Sequence, residues 1–434
     1  MNDETLFPLG ERKPQLEPDT GAPRISRPVR DQVEFHFEHL DRMVTDDHAV
    51  RIVWGFVEQA DLSELTRTIR STEGRAGRPA IDPRVFLALW LYATLDGIGS
   101  ARALDKLCSD HLVYRWICGG VSVNYHSLAD FRSNSGEVLD DLLVEMVATL
   151  RAQNLVQLNR VAHDGVRVRA NAGRGSFRRK DRLDELLAEA EAQVLALKQE
   201  LHENPNASDE RRKAARERAA SERVEKLKAA LAQYPDVKKK KKREKGEARV
   251  STTDADARNM RQPDGGFRPG YNVQFTTDPT TQIVVGVDVS NSGSDEGQLL
   301  PAVEKQKAQY GQAPTEILAD GGYAKKEDIE KIATEHRCLT YAPVPKRKQA
   351  KVKRIRKSRM DSARVVEWKT RMETDEAKAI YKLRAQTECV HAQAHNRGLQ
   401  QFPVRGEKKA LAVALLHALA QNIMQAAYLK KKAA

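Results

Sequence analysis

The sequence predicts a mixed α/β protein preceded by an all-helical segment, and three observations carry that expectation. Apolar residues recur at roughly 3.6-residue spacing up to about residue 155. From Val161 the period changes to two, and alternating stretches return at intervals as far as Pro343. Between the strands so defined lies a leucine-spaced segment, 181 to 233, with the periodicity of packed helices. At 434 residues the chain is long enough for two or three domains.

Lys and Arg number 73 against 61 Asp and Glu, a formal net charge of +12, which favours a polyanionic partner, nucleic acid first. Cys108, Cys118, Cys338 and Cys389 are far apart in sequence and form no C-x-x-C pair. That excludes a zinc knuckle and a disulfide framework and predicts reduced, mostly buried thiols. The most apolar long run, Ala410 to Leu429, is interrupted by His417, Gln421, Asn422 and Gln425, so it reads as a buried or amphipathic helix rather than a membrane span. The first residues are acidic and polar without an apolar h-region, which predicts a cytoplasmic protein.

Residues 1–40 are rich in proline and charge and are expected to form a flexible arm. Helical spacing begins at Asp41, with sets around Val50 to Val57 and Leu62 to Ile69, and Gly74 to Pro79 makes a linker. Asp82-Pro83 is a strong helix start, because aspartate caps free amides and proline suits the first helical position. The helix it opens, Pro83 to Leu95, is apolar nearly all round and should lie at the centre of a helical domain, 41–155. Ser100 opens the next helix, Ser127 and Asp130 form a capping pair, and a long helix follows from about Val138 to Gln153. Short helices with brief turns suit a helix-turn-helix DNA reader, and equally a bundle of other purpose.

The rest, 156–434, is expected to form one domain interrupted at 181–245. Val161 to Arg169 alternates, placing Asp164 on a face with Ala162, Val166 and Val168 and turning His163 the other way. Leu183, Leu187, Ala190, Val194, Leu197 and Leu201 repeat at 4, 3, 4, 3, 4 spacing, and after a turn containing Pro205 a second helix carries Val224, Leu227 and Leu231. This is an antiparallel helical hairpin. It ends in a basic run that includes Lys240, Lys241, Lys242 and Arg243, either a solvated loop or a phosphate contact. Strands resume at Gly270 to Thr276 and Gln282 to Val289, and a helix from Asp295 to Gln309 leads to a strand at Glu316 to Ala319. A further helix, Lys325 to His336, leads to the strand Cys338 to Pro343. With the hairpin excised, the order β-β-β-α-β-α-β is that of an RNase H-like mixed sheet. In that arrangement Asp164, in the first strand, and Asp320, at the end of the fourth, lie in adjacent strands and can meet.

Asp320 stands in I-L-A-D-G-G-Y, where an apolar strand turns sharply; the glycines allow the turn and close approach of a ligand. Pro345 to Arg359 carries Lys346, Arg347, Lys348, Lys351, Lys353 and Arg354 with no acidic residue, and is a loop or a polyanion contact. A helix from about Ser362 to Gly398 aligns Tyr381, Arg384 and Glu388 on one stripe, a surface salt-bridge pattern or part of a site. Asp164, Asp320 and Glu388 together would suit two Mg²⁺ ions, since hard cations take oxygen ligands and phosphate oxygens complete their shells. Asp254, Asp256, Asp288 and Asp295 are reserve carboxylates, the first two read as turn or capping residues.

At this point the sequence resembles the DDE transposases of bacterial insertion sequences, in the IS-four/IS-five-like superfamily. The resemblance rests on G-R-P-A-I-D-P (Gly77 to Pro83), Y-R-W-I-C-G-G (Tyr114 to Gly120) and Y-H-S-L-A-D-F-R (Tyr125 to Arg132). It continues through H-D-G-V-R-V-R-A-N-A (His163 to Ala172), S-T-T-D-A-D-A-R (Ser251 to Arg258), G-Y-N-V-Q (Gly270 to Gln274) and L-A-D-G-G-Y (Leu318 to Tyr323). Tyr381, Arg384 and Glu388 fit Y-x2-R-x3-E. The resemblance implies a metal triad of Asp164, Asp320 and Glu388, with Mg²⁺ as cofactor and Mn²⁺ as its substitute. It implies DNA-end contacts from Tyr381 and Arg384, and His395 where the pattern has lysine. The implied activity is cleavage at the element's ends and joining of the 3′-hydroxyl to target DNA. The implied partners are double-stranded DNA, as terminal repeats and target, and a second copy of the chain when ends are paired. A junction-resolvase type of nuclease and a catalytically inert DNA-binding regulator are the alternatives.

Overall fold

The computed structural model describes residues 39–67, 69, 71, 79–203, 210–240, 248–345 and 361–433. The expected arm, most of the linker before Pro79, the hairpin turn at Pro205 and the basic stretch 346–360 lie outside these residues.

Among the described residues seven α-helices come first: α1 (Ala49–Gln59), α2 (Ser63–Arg67), α3 (Pro83–Leu95), α4 (Ala101–Asp110), α5 (Leu112–Cys118), α6 (Tyr125–Asn134) and α7 (Gly136–Ala152). α3 starts where expected, with the Asp82 carboxylate accepting from the Arg84 amide at 2.8 Å and Pro83 in the first turn. Its continuous run of apolar residues from Leu87 to Ala93 is buried, which makes it the axis of this layer. Ser100 caps α4 through the Ala103 amide. α6 departs from expectation, because its cap is Asn124, whose side chain accepts from the Ser127 amide at 3.0 Å. Ser127 therefore lies inside the first turn.

Next come β1 (Arg160–Arg169), β2 (Phe177–Arg178), the hairpin helices α8 (Lys180–Glu203) and α9 (Glu210–Lys240), then β3 (Val250–Ser251), β4 (Arg258–Arg261), β5 (Phe267–Thr277) and β6 (Val284–Ser290). They are followed by α10 (Leu299–Tyr310), β7 (Glu316–Leu318), α11 (Lys326–Glu335) and β8 (Leu339–Tyr341). The main sheet runs β6-β5-β1-β7-β8, with β4 pairing the first half of β5 beside β6. β5 is antiparallel to β1, β4 and β6, whereas β1, β7 and β8 are parallel. β4 escaped the sequence reading because R-N-M-R buries only Met260 and shows no apolar alternation. α10 begins later than expected, since Asp295 is engaged elsewhere.

The segment expected as one helix from Ser362 to Gly398 is three: α12 (Ala363–Arg371), α13 (Asp375–Lys382) and α14 (Ala385–Asn396). Thr374 interrupts it by capping α13 through the Ala377 amide, and the chain breaks again at Leu383 and Arg384. The final helix, α15 (Glu407–Ala433), is the one described helix long and apolar enough to cross a membrane, and 78% of its apolar window is buried inside the protein. It packs on α3, α6, α7 and β6. Asn422 is fully buried there, its amide donating to Val284 O and accepting from Val284 N, each at 2.7 Å. The open edge of β6 is thus closed by a helix side chain.

One continuous core joins α1–α7, the sheet and α15. A second, smaller core (Ala162, Leu318, Ile329, Trp368) lies under α11 and α12, and a third inside the hairpin (Leu183, Ala190, Val224, Leu227) reaches Val250. All four cysteines are free thiols: Cys118 and Cys338 are buried, Cys108 is half-buried and Cys389 is exposed.

Candidate active site

β1 and β7 run parallel with Ala162 opposite Leu318. Two residues further on, Asp164 is still within β1 whereas Asp320 follows the end of β7, and the charge of Asp320 acts on Asp164. Asp320 caps a single 3-10 turn, Gly321–Tyr323, its Oδ1 accepting from the Gly322 amide at 2.6 Å. A Cβ on Gly322 would stand 2.9 Å from that oxygen, so the glycine makes room for the carboxylate itself. Gly165 has the same function beside Asp164. A Cβ there would meet Gln274 Nε2 at 2.5 Å, Asn272 Oδ1 at 2.7 Å and the Tyr323 hydroxyl at 2.9 Å.

Those three side chains form a buried polar layer behind the carboxylates. Tyr323 donates to Gln274 Oε1, and Asn272 Nδ2 donates to Asp295 Oδ1 at 2.6 Å. Arg167 completes the group by pairing with Asp295 Oδ2 at 3.1 Å. Sequence reasoning missed Asn272, Gln274 and Tyr323. The available signal was in β5, where two amide side chains alternate with Tyr271, Val273 and Phe275.

Arg384 joins Asp164 to Glu388. Its Nη1 donates to Asp164 Oδ2 at 2.7 Å and its Nη2 to Glu388 Oε1 at 3.0 Å. The break between α13 and α14 makes this possible, because Arg384 is the residue preceding α14 and Glu388 lies one turn into that helix. Tyr381, at the end of α13, has its ring 5.8 Å from the Arg384 guanidinium. Burial pushes the Asp164 carboxyl up to about 6, with Arg384 and the Gly165 amide opposing the rise and the charges of Asp320 and Asp295 adding to it. His391, one turn beyond Glu388, hydrogen-bonds the Asp164 backbone, and burial pushes its imidazole down to about 4. His163, expected to point away from Asp164, is buried against Tyr323 and bonds Thr276 Oγ1 at 2.9 Å.

Asp164, Asp320 and Glu388 are hard oxygen donors of the kind a divalent cation takes. Among the described residues, however, no three His, Cys, Asp or Glu side chains stand close enough to share a metal ion. Arg384 supplies the positive charge between Asp164 and Glu388 instead. His395 is exposed in the last turn of α14. Lys240 ends α9, whereas Lys241, Lys242, Arg243, Lys346, Arg347, Lys348, Lys351, Lys353 and Arg354 lie outside the described residues.

The reserve carboxylates divide. Asp254 accepts from the Tyr271 hydroxyl at 2.7 Å and the Gly406 amide at 3.2 Å, and Asp256 accepts from the Glu407 amide at 3.1 Å. Both secure the start of α15. Asp288 is exposed and bonds the adjacent Val289 amide. Only Asp295 stands near enough to act on Asp164.

Two family models match the chain. One, described as "Transposase DDE domain", covers residues 240–423 and includes Asp320 and Glu388. The other, "Transposase domain (DUF772)", covers residues 38–134, the span of α1 to α6. No curated protein and no solved structure gave a significant match.

Proposed function

Because the chain belongs to the insertion-sequence DDE transposases, we propose that it cuts DNA at the ends of its own mobile element and joins the freed 3′-hydroxyl to target DNA. The observation that carries this reading is the pair of carboxylates, Asp164 within β1 and Asp320 just beyond the end of the adjacent parallel strand β7, with Glu388 tied to the first through Arg384. The strand order supports an RNase H-like core. Residues 41–155 are then the helical DNA-binding domain and 156–434 the catalytic domain, interrupted at 181–245.

In this reading Asp164, Asp320 and Glu388 would hold Mg²⁺ once Arg384 leaves Asp164 and Glu388 and the three carboxylates close up, and the ion would supply activation of a hydroxyl nucleophile and stabilisation of the leaving oxygen. Arg384 keeps Asp164 and Glu388 charge-balanced beforehand and turns to a DNA phosphate when the end arrives, with Tyr381 and His395 beside it. The layer of Asn272, Gln274 and Tyr323 braces the backbone beside Asp164 and Asp320, so the rearrangement that admits a metal falls on Arg384 and Glu388. The lysines and arginines of 240–243 and 346–354 hold the DNA backbone with salt-sensitive affinity. Paired ends imply a dimer, acting on DNA in the cytoplasm.

Asp320→Asn should abolish Mg²⁺-dependent cleavage of element ends while leaving end binding intact; full cleavage by that variant would overturn the assignment. A strand-transfer assay on paired-end DNA separates transposition from branched-DNA cleavage, and an enzyme that cuts without joining would be a resolvase. The inert-regulator alternative predicts that the three carboxylates do not converge; the influence of Asp320 on Asp164 and the Arg384 link to Glu388 favour the catalytic reading.

A further inference from the structure

At the root of the hairpin, β2, α8, α9, Thr252, Thr253 and Arg405 enclose a cavity of about 480 Å³. Arg178, Arg182, Arg223, Lys226 and Arg405 line it, and no carboxylate does. Arg182 and Lys226 have carboxylate partners on their own helices, at 2.7 Å (Glu185) and 3.3 Å (Glu222). Among the described residues Arg178, Arg223 and Arg405 make no ion pair; Arg178 donates to Phe177 O and Arg405 to Asn171 O. Confined like charges repel unless a polyanion offsets them.

The cations are also held in place. The β2–β3 ladder closes the root of the hairpin. Gln233 on α9 bridges Asp256 at 3.2 Å and Arg258 at 2.7 Å, fixing the second helix to the body of the protein. Planar guanidinium groups at fixed positions suit phosphate oxygens, which they bind in a bidentate manner.

We propose that this cavity grips the phosphate backbone of duplex DNA about seven base pairs from the reacting end. The spacing follows from β1. Asp164 and Asn171, whose carbonyl holds Arg405, are seven residues apart, in β1 as far as Arg169, which is at most roughly 23 Å at about 3.3 Å per residue. B-DNA rises about 3.4 Å per base pair. The position assigned to the reacting end rests on the proposed function.

The test compares full-length wild type with the combined variant Arg178→Ala, Arg223→Ala, Arg405→Ala on a 30-base-pair duplex ending in the element's terminal repeat. Binding is measured across a salt series. Each phosphate contact contributes a slope of about 0.9 in log K against log salt, so the variant should lose roughly 2 to 3 units of slope and at least tenfold in affinity at low salt. The corresponding Arg→Lys triple variant should keep most of both and shows that the effect is charge, not misfolding. Ethylation of phosphates about seven base pairs from the end should weaken wild type and leave the alanine variant unaffected. An unchanged slope in a folded alanine variant would overturn the inference while leaving the catalytic reading intact. A wild type that binds no DNA would overturn both, whereas Asp320→Asn that still cleaves would overturn the catalytic reading alone.

Discussion

Arg384 shows how one side chain can hold a site together before its reaction partners are bound. It offers one guanidinium to a buried carboxylate and an exposed one, Asp164 and Glu388, and so limits the repulsion that Asp320 adds. Removing it should expose the carboxylates to metal. Arg384→Ala is expected to bind Mn²⁺ several-fold more tightly than wild type in the absence of DNA, measured by electron paramagnetic resonance, and to bind element ends more weakly. Equal or weaker Mn²⁺ binding would show that Arg384 does not compete for the site. Gly165 is the complementary case, needed for its lack of a side chain. Gly165→Ala should cost about 1–3 kcal/mol by overpacking, read by urea denaturation, because the new Cβ falls within 2.9 Å of three polar atoms. The placement of Asp164 in a strand and of Asp320 at a turn was legible in sequence through alternation and the D-G-G pattern. The Arg384 link was not, because helical spacing gives the Arg384–Glu388 contact but not the chain break that aims Arg384 at a strand 220 residues away.

Among the elements, α15 has the widest set of partners. Asp254 and Asp256 bond amides at and just before its start, and its buried Asn422 takes over the hydrogen bonds of β6. Asn422→Ala would leave a buried N–H and C=O without partners, and should destabilise the protein by about 2–4 kcal/mol, measured by chemical denaturation. A change below about 0.5 kcal/mol would mean that water replaces the amide there. The apolar character of α15 was readable in sequence, as were α3, the hairpin and the long strands. Short elements were not, since β4 spans four residues and β2 and β3 two each, too few to establish a period. The division of 362–398 into three helices was hidden because helical spacing continues through capped breaks.

Among the described residues, burial favours the neutral form of three histidines. Burial pushes His163 and His391 down to about 4 and His417 down to about 3, from 6.5. Between those values and pH 6.5 the unfolded chain binds protons that the folded chain does not, so their contribution to stability is full above pH 6.5 and is lost as pH falls. Asp164 acts in the opposite sense: its carboxyl is raised from 3.8 to about 6, so the folded state takes up that proton first and partly offsets the loss. His417→Gln should therefore flatten the acid side of the stability profile by up to about 1.4 kcal/mol per pH unit. The check is urea unfolding of both proteins at pH 7 and pH 5, and parallel profiles would exclude His417 as a source of acid lability.

The continuous core has a consequence for the order in which the chain is made. α3, α6 and α7 emerge from the ribosome long before α15, yet α15 is the surface they pack on. Until translation passes α15 those early helices can bury apolar faces only against one another, and α15 itself lacks its caps unless the hairpin has already returned the chain to Asp254 and Asp256. Synthesis stopped at residue 400 would release a polypeptide with Asp164, Asp320 and Glu388 but without α15 to complete the core. Full-length translation thereby becomes a condition for a folded transposase.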